Sequence, residues 1–217
     1  AIYHNVIPML GYGTFLQNPY GGYDNYVYLD QQIALDFSWG LSIHTTEPFK
    51  NEDSLVPGAL GVLNHEANLV TNPLYSSAIN VLLNHTNFLR KLINIRKIAR
   101  KYLVYGEMLR PVPSSINNIL ATFTSHPNLL TINRMIPEIM NSVWKSQGGK
   151  IGLVFVNPKL TSHTIFFSFP LNQYNLPSTA HYGLFELNSS GSLLIREFDG
   201  NLNNQILQLQ PKSVRIF

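Results

Sequence analysis

The segment Arg100-Lys101-Tyr102-Leu103-Val104-Tyr105-Gly106-Glu107-Met108-Leu109-Arg110-Pro111 marks a change of structure along this chain. A long pattern of apolar residues at helical spacing leads into it, and Pro111 and Pro113 follow, so we expect a helix to end here. From residue 150 onward the pattern changes to short β-rich runs. A helix, a proline-marked exit and a β-rich tail together predict an α+β chain in which one domain ends and another follows.

The helical pattern spans residues 74–109, with Asn72 placed to cap its N-terminus and Pro73 suited to the first helical position. One stripe of this helix is apolar: Leu92, Ile95, Ala99, Tyr102, Leu103 and Gly106. The other surface carries six cations: Arg90, Lys91, Arg96, Lys97, Arg100 and Lys101. We expect the stripe to be buried and the lysines to be exposed on a solvated face.

Six β-rich runs follow, separated by Gly, Asn, Pro and Ser: Ile151–Val156, Thr164–Phe169, His181–Leu187, Leu193–Phe198, Gln205–Leu209 and Ser213–Phe217. Short strands at this spacing are typical of an antiparallel β-sandwich. The stretch between helix and strands, residues 112–143, shows no clear period and is interpreted as a connector.

Composition limits the classes of protein that fit. The chain has 217 residues, of which 45% are hydrophobic and 12% charged, no cysteine, and a formal net charge of +3. That charge is too small to indicate a nucleic-acid partner, and no apolar run reaches the roughly 18 residues that span a bilayer. The start at Ala1, without Met, indicates a fragment or processed product. The sequons at Asn84 and Asn188 favour secretion slightly and leave the compartment open.

Three pieces of the sequence carry a resemblance to a known family. The first is Tyr3-His4-Asn5 with Gly11-Tyr12-Gly13. The second is Phe37-Ser38-Trp39-Gly40 with the helix that ends at Pro111. The third runs from Trp144 to Asn157 and on to the strands that end at Phe217. Together they resemble the C-terminal part of a glycoside-hydrolase-like (β/α)8 barrel family of unknown function, with its C-terminal β-sandwich.

The resemblance implies a partial barrel over residues 1–143 and a C-terminal β-sandwich over residues 144–217. A whole barrel needs about 250 residues. In such barrels the catalytic acids lie on middle strands, which this chain lacks, so we nominate no catalytic residue. The resemblance implies that this chain is the C-terminal portion of a carbohydrate-active protein. It also implies that the chain does not cleave sugars by itself. The alternative is a non-catalytic carbohydrate-binding or structural module.

The candidate substrate-binding residues come from the barrel-like part: Tyr3, His4, Asn5, Tyr12 and Trp39. Strand ends of a barrel face the active-site mouth, where His4 and Asn5 could hydrogen-bond a sugar hydroxyl. The rings of Tyr12 and Trp39 offer flat surfaces on which a sugar could stack. Packing in the interior is the alternative role for all of them.

No pattern in the sequence indicates a metal, a cofactor or a nucleic acid. The histidines lack metal-ligand spacing, and HExxH, GxGxxG, P-loop and GxSxG motifs do not occur. The cationic helix face could contact phosphates, but few aromatic residues are interleaved with it. We therefore expect carbohydrate as the partner and no cofactor, with the oligomeric state open.

Overall fold

The computed structural model describes residues 10–14, 34–35, 37–40, 42–45, 73–125 and 130–217. Within them the fold mixes few helices with many strands, mostly antiparallel and in small sheets. This confirms the α+β prediction at that level. The helices include α1 (Pro73–Ile98) and α2 (Arg100–Leu103), a short 3-10 helix covers Leu171–Tyr174, and residues 34–35 and 37–38 are also helical. The strands are β1 (Leu10–Thr14), β2 (Ser42–Thr45), β3 (Glu107–Leu109), β4 (Asn118–Ser125), β5 (Leu130–Pro137), β6 (Met140–Lys145), β7 (Ile151–Asn157), β8 (His163–Phe169), β9 (His181–Asn188), β10 (Gly191–Asp199), β11 (Leu202–Leu209) and β12 (Ser213–Ile216).

The helical region begins at Pro73 as expected but ends at Leu103, so helix was the wrong prediction for its last residues. Glu107–Leu109 forms β3 instead, pairing antiparallel with β6. The chain passes from α2 to β3 at Gly106, which is buried. A Cβ at this position would lie 2.4 Å from the carbonyl oxygen of Tyr102. Pairing with a distant strand thus outweighs the local helical pattern.

The predicted burial of the apolar stripe is confirmed for Leu92, Ala99, Tyr102 and Leu103, which are buried, while Ile95 is half-buried. Lys91, Lys97 and Lys101 are exposed, as predicted for the opposite face. The stripe therefore decides which side of the helix meets the sheet.

A four-stranded antiparallel sheet in the order β12-β7-β6-β3 lies at the centre of the fold. Side chains alternate between its two faces, as a pleated strand requires. One face packs against the helices and includes Trp144, Val154 and Ile216. The other face includes Val143, Leu153 and Phe155, in one apolar cluster with Ile165 and Leu207 of the β8–β11 pair. The sheet is therefore buried on both sides.

The remaining strands form two-stranded sheets. β8 pairs with β11, β9 with β10 and β4 with β5, all antiparallel. β1 and β2 pair in parallel. The six predicted β-rich runs are all strands, while the stretch interpreted as a connector contains the β4–β5 hairpin and the first residues of β6. Since β6 includes residues 143 and 144, the central sheet draws strands from both sides of the predicted domain boundary.

One buried amide fixes two turns at the end of the central sheet. The Asn157 Nδ2 donates to the carbonyl oxygens of Thr161 at 2.9 Å and Gln210 at 2.9 Å. Its Oδ1 accepts from the backbone nitrogen of Lys159 at 2.9 Å. A buried side chain with its polar atoms satisfied in this way orders both the β7–β8 and the β11–β12 turns.

Candidate functional site

Of the residues predicted from the sequence to contact sugar, Trp39 is placed most clearly. Its side chain is 46% exposed, in a turn where its backbone nitrogen donates to the carbonyl oxygen of Leu35 at 3.0 Å. Tyr12 lies in β1, the strand that pairs in parallel with β2. Tyr3, His4 and Asn5 lie outside the described residues, so their proposed contacts stay predictions.

A different surface combines an exposed aromatic ring with polar groups: the outer face of the β9–β10 hairpin. In the register of the two strands Phe185 lies opposite Leu194, and His181 lies opposite Asp199. Gly183 lies opposite Glu197 on the same face. We call this surface the hairpin face and define it by these residues.

The Phe185 ring folds back over Gly183. A Cβ built on Gly183 would lie 2.7 Å from Cε2 and 3.2 Å from Cζ of that ring, and 3.4 Å from Cδ1 of Leu194. Only glycine at 183 leaves the ring this space, a packing of aromatic on glycine known in sheets. The ring is 45% exposed and therefore presents an apolar surface to solvent at a defined position.

Hydrogen-bonding groups lie at the end of the same face. The Nδ1 of His181 is 2.8 Å from Oδ1 of Asp199, and its Nε2 is 3.5 Å from Oε2 of Glu197. All three side chains are exposed. Both ring nitrogens of His181 face the two carboxylates. The remaining lone pairs of the carboxylates can accept hydrogen bonds from hydroxyl groups. An apolar ring beside such a set suits a ligand with both an apolar face and hydroxyls.

The hairpin is anchored on its other side. Arg215 donates from Nε to Oε1 of Glu186 at 2.6 Å and from an Nη to Oε2 at 2.7 Å. The rings of Tyr182 and Phe198 stack with centroids 5.6 Å apart. The two-pronged Arg215–Glu186 contact holds the hairpin against β12, and the stacked pair joins the two strands of the hairpin and packs in the apolar cluster of the core. The outer face is therefore presented on an anchored hairpin.

The hydrogen bond to Asp199, followed by the one to Glu197, raises the pKa of His181. We expect its ring protons to titrate above the ordinary value of 6.5. Because the pKa of His181 is raised in the folded state, the contacts of its protonated ring with Asp199 and Glu197 stabilise the fold fully below about pH 6.5. This stabilisation is lost as the pH rises through the folded pKa. An NMR titration, with His181→Gln to assign the signal, measures this. Asp199→Asn should move the midpoint back down, and a midpoint at or below 6.5 in the unmodified chain would contradict the geometry.

A second carboxylate cluster is better explained by structure. Glu138 is buried and accepts from Nζ of Lys159 at 2.8 Å, and its Oε1 is 2.9 Å from Nε2 of His163. Burial alone would raise the pKa of Glu138. The hydrogen bond from Lys159, with the charges of His163 and Lys159, lowers it overall. Both oxygens are occupied by neighbours that tie the β5–β6 link to the β7–β8 turn, so the carboxylate is committed within the fold.

Two features were sought in the part of the chain that is described: a group of metal-binding side chains and a membrane-spanning helix. No group of three His, Cys, Asp or Glu residues there could hold a metal ion. None of the helices in those ranges is both long and apolar enough to cross a bilayer.

The hairpin face was missed at the level of sequence, although one signal pointed to it. Gly183 interrupts an otherwise β-rich run, and a glycine inside a strand often marks a place where another group approaches closely. Comparison with models of known families, with curated proteins and with solved structures found no match.

Proposed function

We propose that this chain is the C-terminal part of a glycoside-hydrolase-like, carbohydrate-active protein, and that its hairpin face binds carbohydrate without cleaving it. The observation that carries the proposal is the exposed Phe185 ring over Gly183, with Glu197 and Asp199 on the same face. A pyranose ring has an apolar C–H face that packs on an aromatic ring, while its hydroxyls donate to carboxylates. The hairpin face offers both contacts on one anchored surface.

Binding rather than hydrolysis is proposed because of how the two acids are placed. Glycosidases generally place one carboxyl group on each side of the scissile bond, about 5–10 Å apart. Glu197 and Asp199 lie on the same strand face, are both exposed, and both contact His181. This arrangement suits recognition of hydroxyls from one side.

The same proposal includes the finer fold, a (β/α)8 barrel fragment followed by an antiparallel β-sandwich. The apolar cluster shared by the central sheet and the β8–β11 pair supports the sandwich. The parallel pairing of β1 with β2 is the kind of neighbour relation that a barrel requires. A structural module is the competing function, in which the contact of Phe185 with Gly183 serves packing alone.

The test is calorimetric titration of neutral tetrasaccharides of glucose, xylose and mannose. We expect saturable binding, weakened about tenfold by Phe185→Ala, which corresponds to about 1.4 kcal/mol at 25 °C. Phe166→Ala is the matched control: Phe166 is 48% exposed on β8 and is not one of the residues that define the hairpin face, so its loss should leave binding unchanged. Trp39→Ala tests the barrel-mouth contact separately.

Three results would count against the proposal. Absence of binding to all of these sugars by a chain with a folded circular dichroism spectrum would favour the structural module. Equal effects of Phe185→Ala and Phe166→Ala would remove the hairpin face as the site. Turnover of aryl glycosides, if one Asp or Glu substitution abolishes it, would show that the chain catalyses hydrolysis and does not only bind sugar.

A further inference from the structure

The turn that joins β10 to β11 contains a dipeptide with its own chemistry. Asp199 is followed directly by Gly200, the one Asp-Gly pair in a sequence that has no Asn-Gly pair. The Asp199 side chain is 79% exposed. Gly200 adopts a φ of 68°, and a Cβ built on it would meet no described atom within 4 Å. Because glycine has no side chain, nothing on residue 200 hinders the approach of the Asp199 carboxyl group to the backbone nitrogen of Gly200.

The chain is anchored on both sides of this pair. Before it, Phe198 is buried in the apolar cluster that includes the β8–β11 strands. After it, the Oδ1 of Asn201 accepts from the backbone nitrogen of Leu171 at 2.8 Å, and Leu202 is buried. A change in the length of the main chain between residues 198 and 201 would therefore have to be absorbed within the exposed turn.

We propose that the link between Asp199 and Gly200 rearranges spontaneously to an isoaspartyl bond, which makes this turn a site of covalent self-modification at the end of the hairpin face. The backbone nitrogen of Gly200 attacks Cγ of the protonated Asp199 side chain. An N–Cγ bond forms, a C–O bond of the carboxyl group breaks, and the amide hydrogen leaves with the hydroxyl as water. Water then opens the succinimide ring: opening at the backbone carbonyl carbon gives isoaspartate, and opening at Cγ restores aspartate. Water is the one co-reactant.

Isomerisation changes the end of the hairpin face. In isoaspartate the main chain runs through Cβ and Cγ of residue 199, so the turn gains a methylene group, and the free carboxylate is attached directly to Cα. The Nδ1 of His181, which is 2.8 Å from Oδ1 of Asp199 in the aspartate form, loses this partner. The hydrogen bond to Asp199 is the main reason that the pKa of His181 is raised, so the pKa should fall in the isoaspartate form. The inference does not depend on the carbohydrate function of the hairpin face.

The experiment is incubation of the folded chain at neutral pH in buffer made with ¹⁸O-labelled water, followed by tryptic digestion and tandem mass spectrometry. Each passage through the succinimide introduces one ¹⁸O atom from water into residue 199. We expect the peptide of residues 197–212 to gain this label at residue 199 over days to weeks. The labelled peptide should separate by chromatography into an aspartate and an isoaspartate form, and fragment ions locate the label.

Substitutions test the assignment to this pair. Asp199→Glu keeps an exposed carboxylate but requires a larger ring, which closes much more slowly, so residue 199 should stay unlabelled. Gly200→Ala crowds the attacking nitrogen and should slow the labelling several-fold. Ser190→Ala changes an exposed residue in the turn at the other end of the hairpin and should label at the unmodified rate. Absence of ¹⁸O at residue 199 of the folded chain, or equal labelling of Asp199→Glu and the unmodified chain, would overturn the proposal.

Discussion

Replacing Trp144 by alanine is expected to lower the free energy of unfolding by about 3–5 kcal/mol, as found for large aromatic side chains in cores. Trp144 is fully buried on the helix-facing side of the central sheet. Its Nε1 donates to the carbonyl oxygen of Ser38 and to Oγ of Ser142, both at 3.0 Å. Alanine would leave a cavity and two acceptors without this donor. Urea unfolding followed by circular dichroism measures the loss.

Trp144→Phe is the matched variant because it keeps most of the ring volume and removes the donor. Loss of a buried hydrogen-bond donor costs about 1–3 kcal/mol, so the phenylalanine variant should lie between alanine and the unmodified chain. A loss below 1 kcal/mol for Trp144→Ala would show that this side chain is not in the core.

Gly106→Ala should destabilise the chain by at least about 2–3 kcal/mol, at the upper end of overpacking effects. The added Cβ would lie 2.4 Å from the carbonyl oxygen of Tyr102 and 2.9 Å from that of Lys145. Both are backbone atoms, one in α2 and one in β6, and backbone cannot move aside as a flexible side chain can. Either α2 or the β3–β6 pairing would therefore have to shift.

The control is Gly148→Ala, in the β6–β7 turn, where an added Cβ would meet nothing within 4 Å. Its effect should stay within about 0.5 kcal/mol. Thermal unfolding of the two variants under the same conditions gives the comparison. Similar melting temperatures for both would show that α2 and β6 do not approach each other at Gly106.

The sequence predicted those helices and strands that depend on residues close together in the chain. The apolar stripe that includes Leu92 and Leu103 gave the buried side of the helical region, and turn residues bounded the six β-rich runs. β3 was missed because its three residues continue the helical pattern, and only pairing with β6 makes them a strand. No local signal reports a partner more than thirty residues away.

The residues of the candidate site divide in the same way, into those that a local sequence pattern indicates and those that depend on strand pairing. Exposure of an aromatic at residue 39 was a reasonable expectation from a Gly-rich, aromatic segment. The hairpin face depends on register, since His181 meets Asp199 only through the pairing of β9 with β10. That pairing also shifts between Leu194 and Arg196. Register comes from the packing of the whole hairpin on β12, which a single sequence does not display.

The central position of β7 has a consequence for synthesis in the cell. β7 has β6 on one side and β12 on the other, and β12 follows only after β8, β9, β10 and β11. While the ribosome is still translating those strands, one edge of an apolar strand is open to other chains. Pairing of distant strands is also slow. We therefore expect chains truncated before residue 213 to bind chaperones and to aggregate, and chains that include β12 to become protease-resistant once β12 has left the ribosome.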